Sequence, residues 1–274
     1  MPSLHVAAAH ILSRAKDTEG NFARLQRQVE AAAVFGVRAM LFAETCLHSY
    51  DIAADSIAQA EPLDGPLVTR LAGLARQHGM TIMAGFWERD GDRVYNSHAI
   101  AHPDRPPQVE RKHMLTEKEL AAGLTKGPVE RTVVEFDGIR TCLIICADAG
   151  SAPMAAWCRD HDIHYRFCPS AGGDLIDGKK MRYLHESELA EPEAREWYLA
   201  NRHHTFIADA IVDPGRWHTG FTSANAMGPD GRGITHQGHC IITDRQNIMR
   251  AQLPGTIILE HQQDAFVHAE LTFP

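Results

Sequence analysis

The run Thr141-Cys-Leu-Ile-Ile-Cys146-Ala-Asp-Ala-Gly150 decides how this chain is read. From Thr141 to Cys146 apolar residues fall on both alternating faces, the pattern of a central strand buried on both sides. Ala147-Asp-Ala-Gly150 then turns the chain, and Ala155 to Arg159 begins a helix. A cysteine at a strand-to-helix turn holds its sulfur near backbone N–H groups. That placement is expected to lower the thiol pKa and to supply donors for an oxyanion. A free cysteine also serves as a small buried hydrophobe, so this stretch alone leaves both uses of Cys146 open.

Outward from that strand the chain alternates strands and helices. Toward the N-terminus, Leu4 to Ala9 reads as a strand. Phe22, Leu25, Val29, Ala32 and Ala33 recur at helical spacing, and the helix they imply ends near Gly36. Arg38 to Ala43 is a strand that runs into Glu44, where a carboxylate is costly unless paired or used. Leu67, Leu71, Leu74 and Ala75 mark a helix ended by Gly79, and strands follow at Met80–Trp87 and Val94–Ala101. Residues 102–130 are rich in Pro and Gly around a charged centre from Glu110 to Glu119. A long segment read as loop points to function more than to spacing. Strands at Thr132–Phe136 and Arg140–Cys146 flank Asp137-Gly138, a hairpin signal. Ile163–Cys168 and Phe206–Val212 read as strands. Glu193–His203 reads as a helix carrying Trp197 and Tyr198, expected in a core or subunit contact. Short strands continue to Phe273. Without an internal repeat or linker, residues 1–274 are expected to form one α/β domain.

Composition excludes several classes. Apolar residues make up 44% and charged residues 23% of 274 residues, which is globular usage rather than disorder. The 27 Lys and Arg against 35 Asp and Glu give a net charge of −8, so no nucleic-acid partner is expected. The apolar runs fall far short of the roughly 20 residues that span a bilayer, so no membrane association is expected. The start MPSLHVAAAH has no basic region ahead of an apolar stretch, so no signal peptide is expected. The six cysteines form no CxxC pair, which suits reduced thiols in the cytoplasm. Among the 17 histidines there is no HExxH, and His161, His164, His203 and His204 read as surface or core residues, so no metal is expected.

Glu44, Lys112 and Cys146, in that order, resemble the triad of the nitrilase, or carbon–nitrogen hydrolase, superfamily. The likeness extends along the chain. Lys112 is followed by Glu119 and Gly123, Cys146 by Asp148, and an apolar strand ends in Phe167-Cys-Pro-Ser170. Tyr95-Asn-Ser97 matches a recurrent Asn after the third strand, and Gly238 to Leu271 resembles the closing strands. Ala43-Glu44 replaces the usual Pro-Glu, Glu110 and Met114 stand where an aromatic residue and a His usually flank the Lys, and Gly150-Ser-Ala-Pro153 replaces Phe-Pro-Glu. These departures mark a divergent branch.

The resemblance implies a four-layer α-β-β-α sandwich and hydrolysis of a small amide through a cysteine thioester, with no cofactor. Glu44 would be the base, Lys112 and the Ala147 N–H the oxyanion donors, and Glu119 the residue that orients the amide and holds the Lys112–Glu44 charges. Tyr50, His113, Asp148 and Ser170 would join Ala147 in binding substrate, and Trp87 is a further candidate for the pocket wall. Association through the outer helices as a homodimer or higher homo-oligomer is also implied. A nitrilase or an N-carbamoyl amidohydrolase would use the same triad. The chain ends soon after its last strand, which favours amide over nitrile. A catalytically silent binding module of the same fold is the alternative of another class, and the retained Glu, Lys, Glu and Cys speak against it.

Overall fold

The structure is a computed structural model that describes residues 1–172, 175–176, 179–180, 184–201, 209–213, 215–229 and 235–273. The first half of the chain supplies β1 (Ser3–His10), α1 (Thr18–Ala33), β2 (Ala39–Phe42), α2 (Ala54–Ile57), α3 (Pro66–His78), β3 (Thr81–Asp90), β4 (Arg93–Ala101), β5 (Gln108–Arg111) and α4 (Glu117–Ala121). Next come β6 (Val134–Phe136), β7 (Ile139–Leu143), α5 (Ala152–Asp160) and β8 (Tyr165–Ser170). The short pair β9 (Leu175–Ile176) and β10 (Lys179–Lys180) is followed by α6 (Pro192–Asn201), α7 (Asp209–Val212) and β11 (Gly220–Asn225). A second short pair, β12 (Met227–Pro229) and β13 (Thr235–Gln237), precedes β14 (Cys240–Thr243), β15 (Met249–Leu253) and β16 (Ala265–Thr272).

Two six-stranded mixed sheets carry the fold. One runs β16-β1-β2-β3-β4-β5, and the other β15-β14-β11-β8-β7-β6. Each has three parallel strands in its middle, β1, β2 and β3 in one and β7, β8 and β11 in the other, flanked by antiparallel strands. The period-2 alternation of side chains sorts the layers. Leu4, Val6 and Ala8 of β1, with Ala39 and Leu41 of β2, meet Leu143, Tyr165 and Phe167 of the other sheet in the central core. The intervening residues Ala7, Ala9, Met40 and Phe42 face α1 and α3. Cys142, Ile144 and Cys168 face outward against Met154, Ala155 and Cys158 of α5. The architecture is therefore the α-β-β-α sandwich.

Local chemistry sets the helix ends. Asp17 caps α1 by accepting the Gly20 N–H at 3.0 Å. Pro66 opens α3, and Gly79 closes it with φ +61°, a left-handed conformation that glycine adopts without penalty. The strand expected over Phe206–Val212 is corrected in its described part, because Asp209–Val212 is a helical turn. Residues 206–208 lie outside the described residues. The segment 102–130 is more ordered than its Pro and Gly content implies, since it contributes β5 to the first sheet and the capped helix α4. Among the described residues no helix is long and apolar enough to cross a membrane.

Candidate active site

The candidate site forms where parallel strands of both sheets end, the usual position for chemistry in open α/β sheets. Glu44 lies two residues beyond β2, Lys112 directly follows β5, Cys146 lies three residues beyond β7, and Ser170 closes β8. Asn96 projects from β4. Glu44, Lys112 and Glu119 are fully buried.

Three charged groups and one amide form the centre. Lys112 Nζ donates to Glu44 Oε1 at 2.7 Å and to Glu119 Oε1 and Oε2 at 2.9 and 3.0 Å. Asn96 Nδ2 lies 2.7 Å from Glu44 Oε1 and 2.8 Å from Glu119 Oε1. Glu44 Oε2 is buried and has no hydrogen-bond partner among the described residues. Two carboxylates therefore share one ammonium, which leaves a surplus negative charge in a dry site. Burial raises the Glu44 carboxyl above its ordinary range, Lys112 opposes this, and Glu119 adds to it. Burial also pushes Glu119 upward, but Lys112 and the hydrogen bonds outweigh it and the net direction is down. Lys112 is held well above the ordinary lysine range, because its anionic neighbours overcome burial.

Backbone contacts fix Lys112. Its N–H donates to Asn96 O at 2.9 Å, and its carbonyl accepts the Gly127 N–H at 2.8 Å. A Cβ on Gly127 would stand 2.6 Å from Arg111 Cβ, so the absence of a side chain lets residues 124–128 lie against the end of β5. Glu119 is aimed by a capping box, in which Thr116 Oγ1 accepts the Glu119 N–H and Glu119 Oε2 accepts the Thr116 N–H.

Cys146 opens a 3-10 turn over Cys146–Gly150 with φ +49°, a left-handed conformation that a non-glycine residue holds only when its surroundings impose it. It is half-buried, whereas the other five cysteines are buried. The expected lowering of its pKa is not found. Burial, and then the Glu44 carboxylate, push the thiol up to about 12, against the pull of Lys112 and of the Ala171 backbone N–H. The resting sulfur is therefore a thiol and needs a base.

The remaining residues singled out from the sequence fall in different places. Tyr50 lies beside the centre, with its ring centroid 5.9 Å from Lys112 Nζ. The Ala147 N–H is one of the first donors of the 3-10 turn, which the turn itself leaves unpaired. Ser170 is fully buried, and its hydroxyl lacks a partner among the described residues. Trp87 is buried, with its ring centroid 6.3 Å from that of Tyr50.

Asp148 is committed to scaffolding instead of facing a pocket. Its carboxylate accepts the His113 and Met114 backbone N–H groups at 3.1 and 2.7 Å, which ties the loop after Lys112 to the cysteine turn. The His113 ring is turned away to the Gly127 carbonyl at 2.7 Å.

The sequence places Glu110 only in the charged stretch beside Lys112 and gives Arg131 no role, yet both are buried. Arg131 Nη1 pairs with Glu110 at 3.0 Å and with Asp148 at 3.5 Å. Only the unusual charge density of 110–119 hinted at this buried ion network.

A profile of the carbon-nitrogen hydrolase family matches residues 5–178, and the chain belongs to that family. It is 28% identical over 151 residues to a hydrolase from Mycobacterium tuberculosis, covering 53% of each chain. It is also 28% identical over 146 residues to an (R)-stereoselective amidase from a Pseudomonas species, covering 53% of this chain and 52% of that one. The chain thus spans about half the length of the curated relatives it matches. Among solved structures, the superfamily protein XC1258 from Xanthomonas campestris superposes with a TM-score of 0.74 at 19% identity, over 99% of this chain and 91% of that one. A mutant amidase of Nesterenkonia AN1 gives 0.72 at 16% identity, over 98% and 90%. These two structures share the fold.

Proposed function

We propose that this carbon-nitrogen hydrolase cleaves the C–N bond of small amides through a thioester on Cys146. The observation that carries the reading is Glu44. Its Oε2 is buried without a hydrogen-bond partner among the described residues, its affinity for a proton is raised, and its charge acts on the Cys146 thiol. A carboxylate in that state is a general base. Glu44 takes the thiol proton as the sulfur attacks the amide carbon. Lys112 and the Ala147 N–H stabilise the oxygen that gains charge. Glu44 returns the proton to the departing nitrogen, releasing ammonia or an amine and leaving the acyl group on sulfur. Water, deprotonated by Glu44, then attacks the thioester, and the acid leaves as the thiol reforms. Glu119 and Asn96 keep Lys112 and Glu44 in register throughout.

Ammonia release across short aliphatic, aromatic and carbamoyl amides, with Cys146→Ala as the control, tests this reading. Turnover of at least one simple amide that disappears in the variant is expected. Turnover retained by Cys146→Ala would overturn it.

A further inference from the structure

The outer face of the second sheet holds a cluster that the hydrolytic chemistry does not use. Arg166 of β8 is fully buried. Its guanidinium donates to Thr219 Oγ1 at 2.7 Å and to the Thr219 and Ile211 carbonyls at 3.0 Å, and it lies 4.4 Å from the Trp217 ring centroid. No carboxylate pairs with it among the described residues. A buried cation without a counter-ion is costly, and the acidic groups around it are thiols. Cys168 Sγ lies 3.9 Å from Arg166 Nη1, and Cys142 stands opposite Arg166 in the strand register. Cys142 Sγ on the outer side of β7 is 3.6 Å from Cys158 Sγ on α5. Cys158 also lines a cavity of about 200 Å³ whose walls include Arg159, Arg216 and Trp217.

We propose that Cys142 and Cys158 are a redox pair that a hydroperoxide reaching Cys158 through this cavity converts to a disulfide. Cys158 is the attacking sulfur. Its hydrogen bond with Cys142 holds its pKa below the usual thiol range; burial opposes this, while Arg166 and Arg131 assist and Glu110 opposes. The Cys158 thiolate attacks the terminal peroxide oxygen. The O–O bond breaks, the other oxygen leaves as hydroxide or alkoxide, and a sulfenic acid forms on Cys158. The Cys142 thiol then displaces that hydroxyl as water, and the S–S bond forms. Two electrons pass from the two sulfurs to the peroxide, which supplies the oxidant.

The location gives the bond a consequence. Closing the contact from 3.6 Å to a bonded length of about 2.05 Å draws α5 and β7 together. The turn Cys146–Gly150 lies between those two elements, so the disulfide would clasp the segment that presents Cys146.

Exposure of the folded protein to hydrogen peroxide, followed by alkylation and non-reducing peptide mapping, tests the pair. A Cys146→Ser background removes the one half-buried thiol, which would otherwise react alongside the pair. A linked peptide joining residues 142 and 158, the loss of two hydrogens in intact mass, and reversal by dithiothreitol are expected. Cys158→Ser should abolish the link with circular dichroism unchanged, and Cys168→Ser should leave it intact. A bridge through Cys168, or peroxide-treated protein in which Cys142 and Cys158 both remain alkylatable after unfolding, would overturn the proposal.

Discussion

Lys112→Met removes the single ammonium that two buried carboxylates share. Methionine fills a similar volume, so the change reads charge more than packing. Both Glu44 and Glu119 are fully buried, and Lys112 meets them at 2.7 to 3.0 Å. Removing one partner of such an arrangement typically costs about 3–5 kcal/mol, because the survivors are left charged and dry. At about 2–4 °C per kcal/mol for a chain of this size, the melting temperature at pH 8 should drop by roughly 6–20 °C. The pH dependence carries the sharper signature. In the variant, burial and mutual repulsion raise both folded carboxyl pKa values above their unfolded values. A group raised in this way costs nothing below its unfolded pKa, and its cost grows as pH rises toward the folded pKa. The difference between variant and wild type should therefore shrink from pH 8 to pH 5. Adding Glu119→Gln to Lys112→Met should recover part of the loss at pH 8. Calorimetric unfolding of the three proteins at both pH values checks this. A drop below about 1 kcal/mol at pH 8, or one that does not lessen at pH 5, would refute the shared-ammonium account.

Glu44→Gln should separate thiol acidity from turnover. Deleting a charge that raises the Cys146 pKa leaves Lys112 less opposed while burial still holds the thiol up, so the midpoint of iodoacetamide alkylation should fall below about 12 without reaching the ordinary thiol range. Amide turnover should nevertheless drop by about 10²–10⁴-fold for want of a base; an unmoved midpoint would count against the Glu44–Cys146 coupling. Glu110 is buried, and its carboxyl is pushed up to about 7 by burial despite Arg131, so its folded pKa lies above the unfolded value near 4.5. Its ionised form therefore burdens the fold increasingly between pH 4.5 and 7, and Glu110→Gln should gain stability relative to wild type across that window. Chemical denaturation at pH 4.5, 6 and 8 measures it, and a difference that stays flat contradicts it. Gly85→Ala would place a Cβ 2.0 Å from Thr45 N and 2.8 Å from His98 Cε1, forcing back the segment that carries Glu44. A loss of about 1–3 kcal/mol or more in urea unfolding, with reduced turnover, is expected.

The strand and helix pattern was legible where a single face or a full core imposed its period. β2 is an uninterrupted apolar run, β1 and β7 are mostly apolar, and α3 is bounded by Pro66 and Gly79, so alternation and punctuation agree. The failures are local. Thr116 and Glu119 spell a capping box, yet in the sequence the neighbouring Pro and Gly outweigh it and assign the α4 segment to loop. Phe206–Val212 is apolar enough for a strand, but a run this short does not distinguish strand from helix by period alone.

Chain order brought Glu44, Lys112, Glu119 and Cys146 to notice together. Asn96, which bridges both carboxylates, had only a recurrent position to commend it. Buried ions were the hardest to foresee. Glu110 and Arg131 look like solvated loop charges until folding removes them from water together. The Cys146 thiol failed in the opposite sense. Lys112 and the Ala171 N–H acidify it, but burial and then the Glu44 charge oppose them with larger effect, which no linear reading displays.

The most direct measurement is rapid-quench mass spectrometry of the intact protein during turnover of a short amide. The account predicts a transient adduct of acyl mass that maps to Cys146, is released by hydroxylamine, and is absent from Cys146→Ala. Turnover with no adduct at any quench time, or an acyl group carried elsewhere, would contradict it.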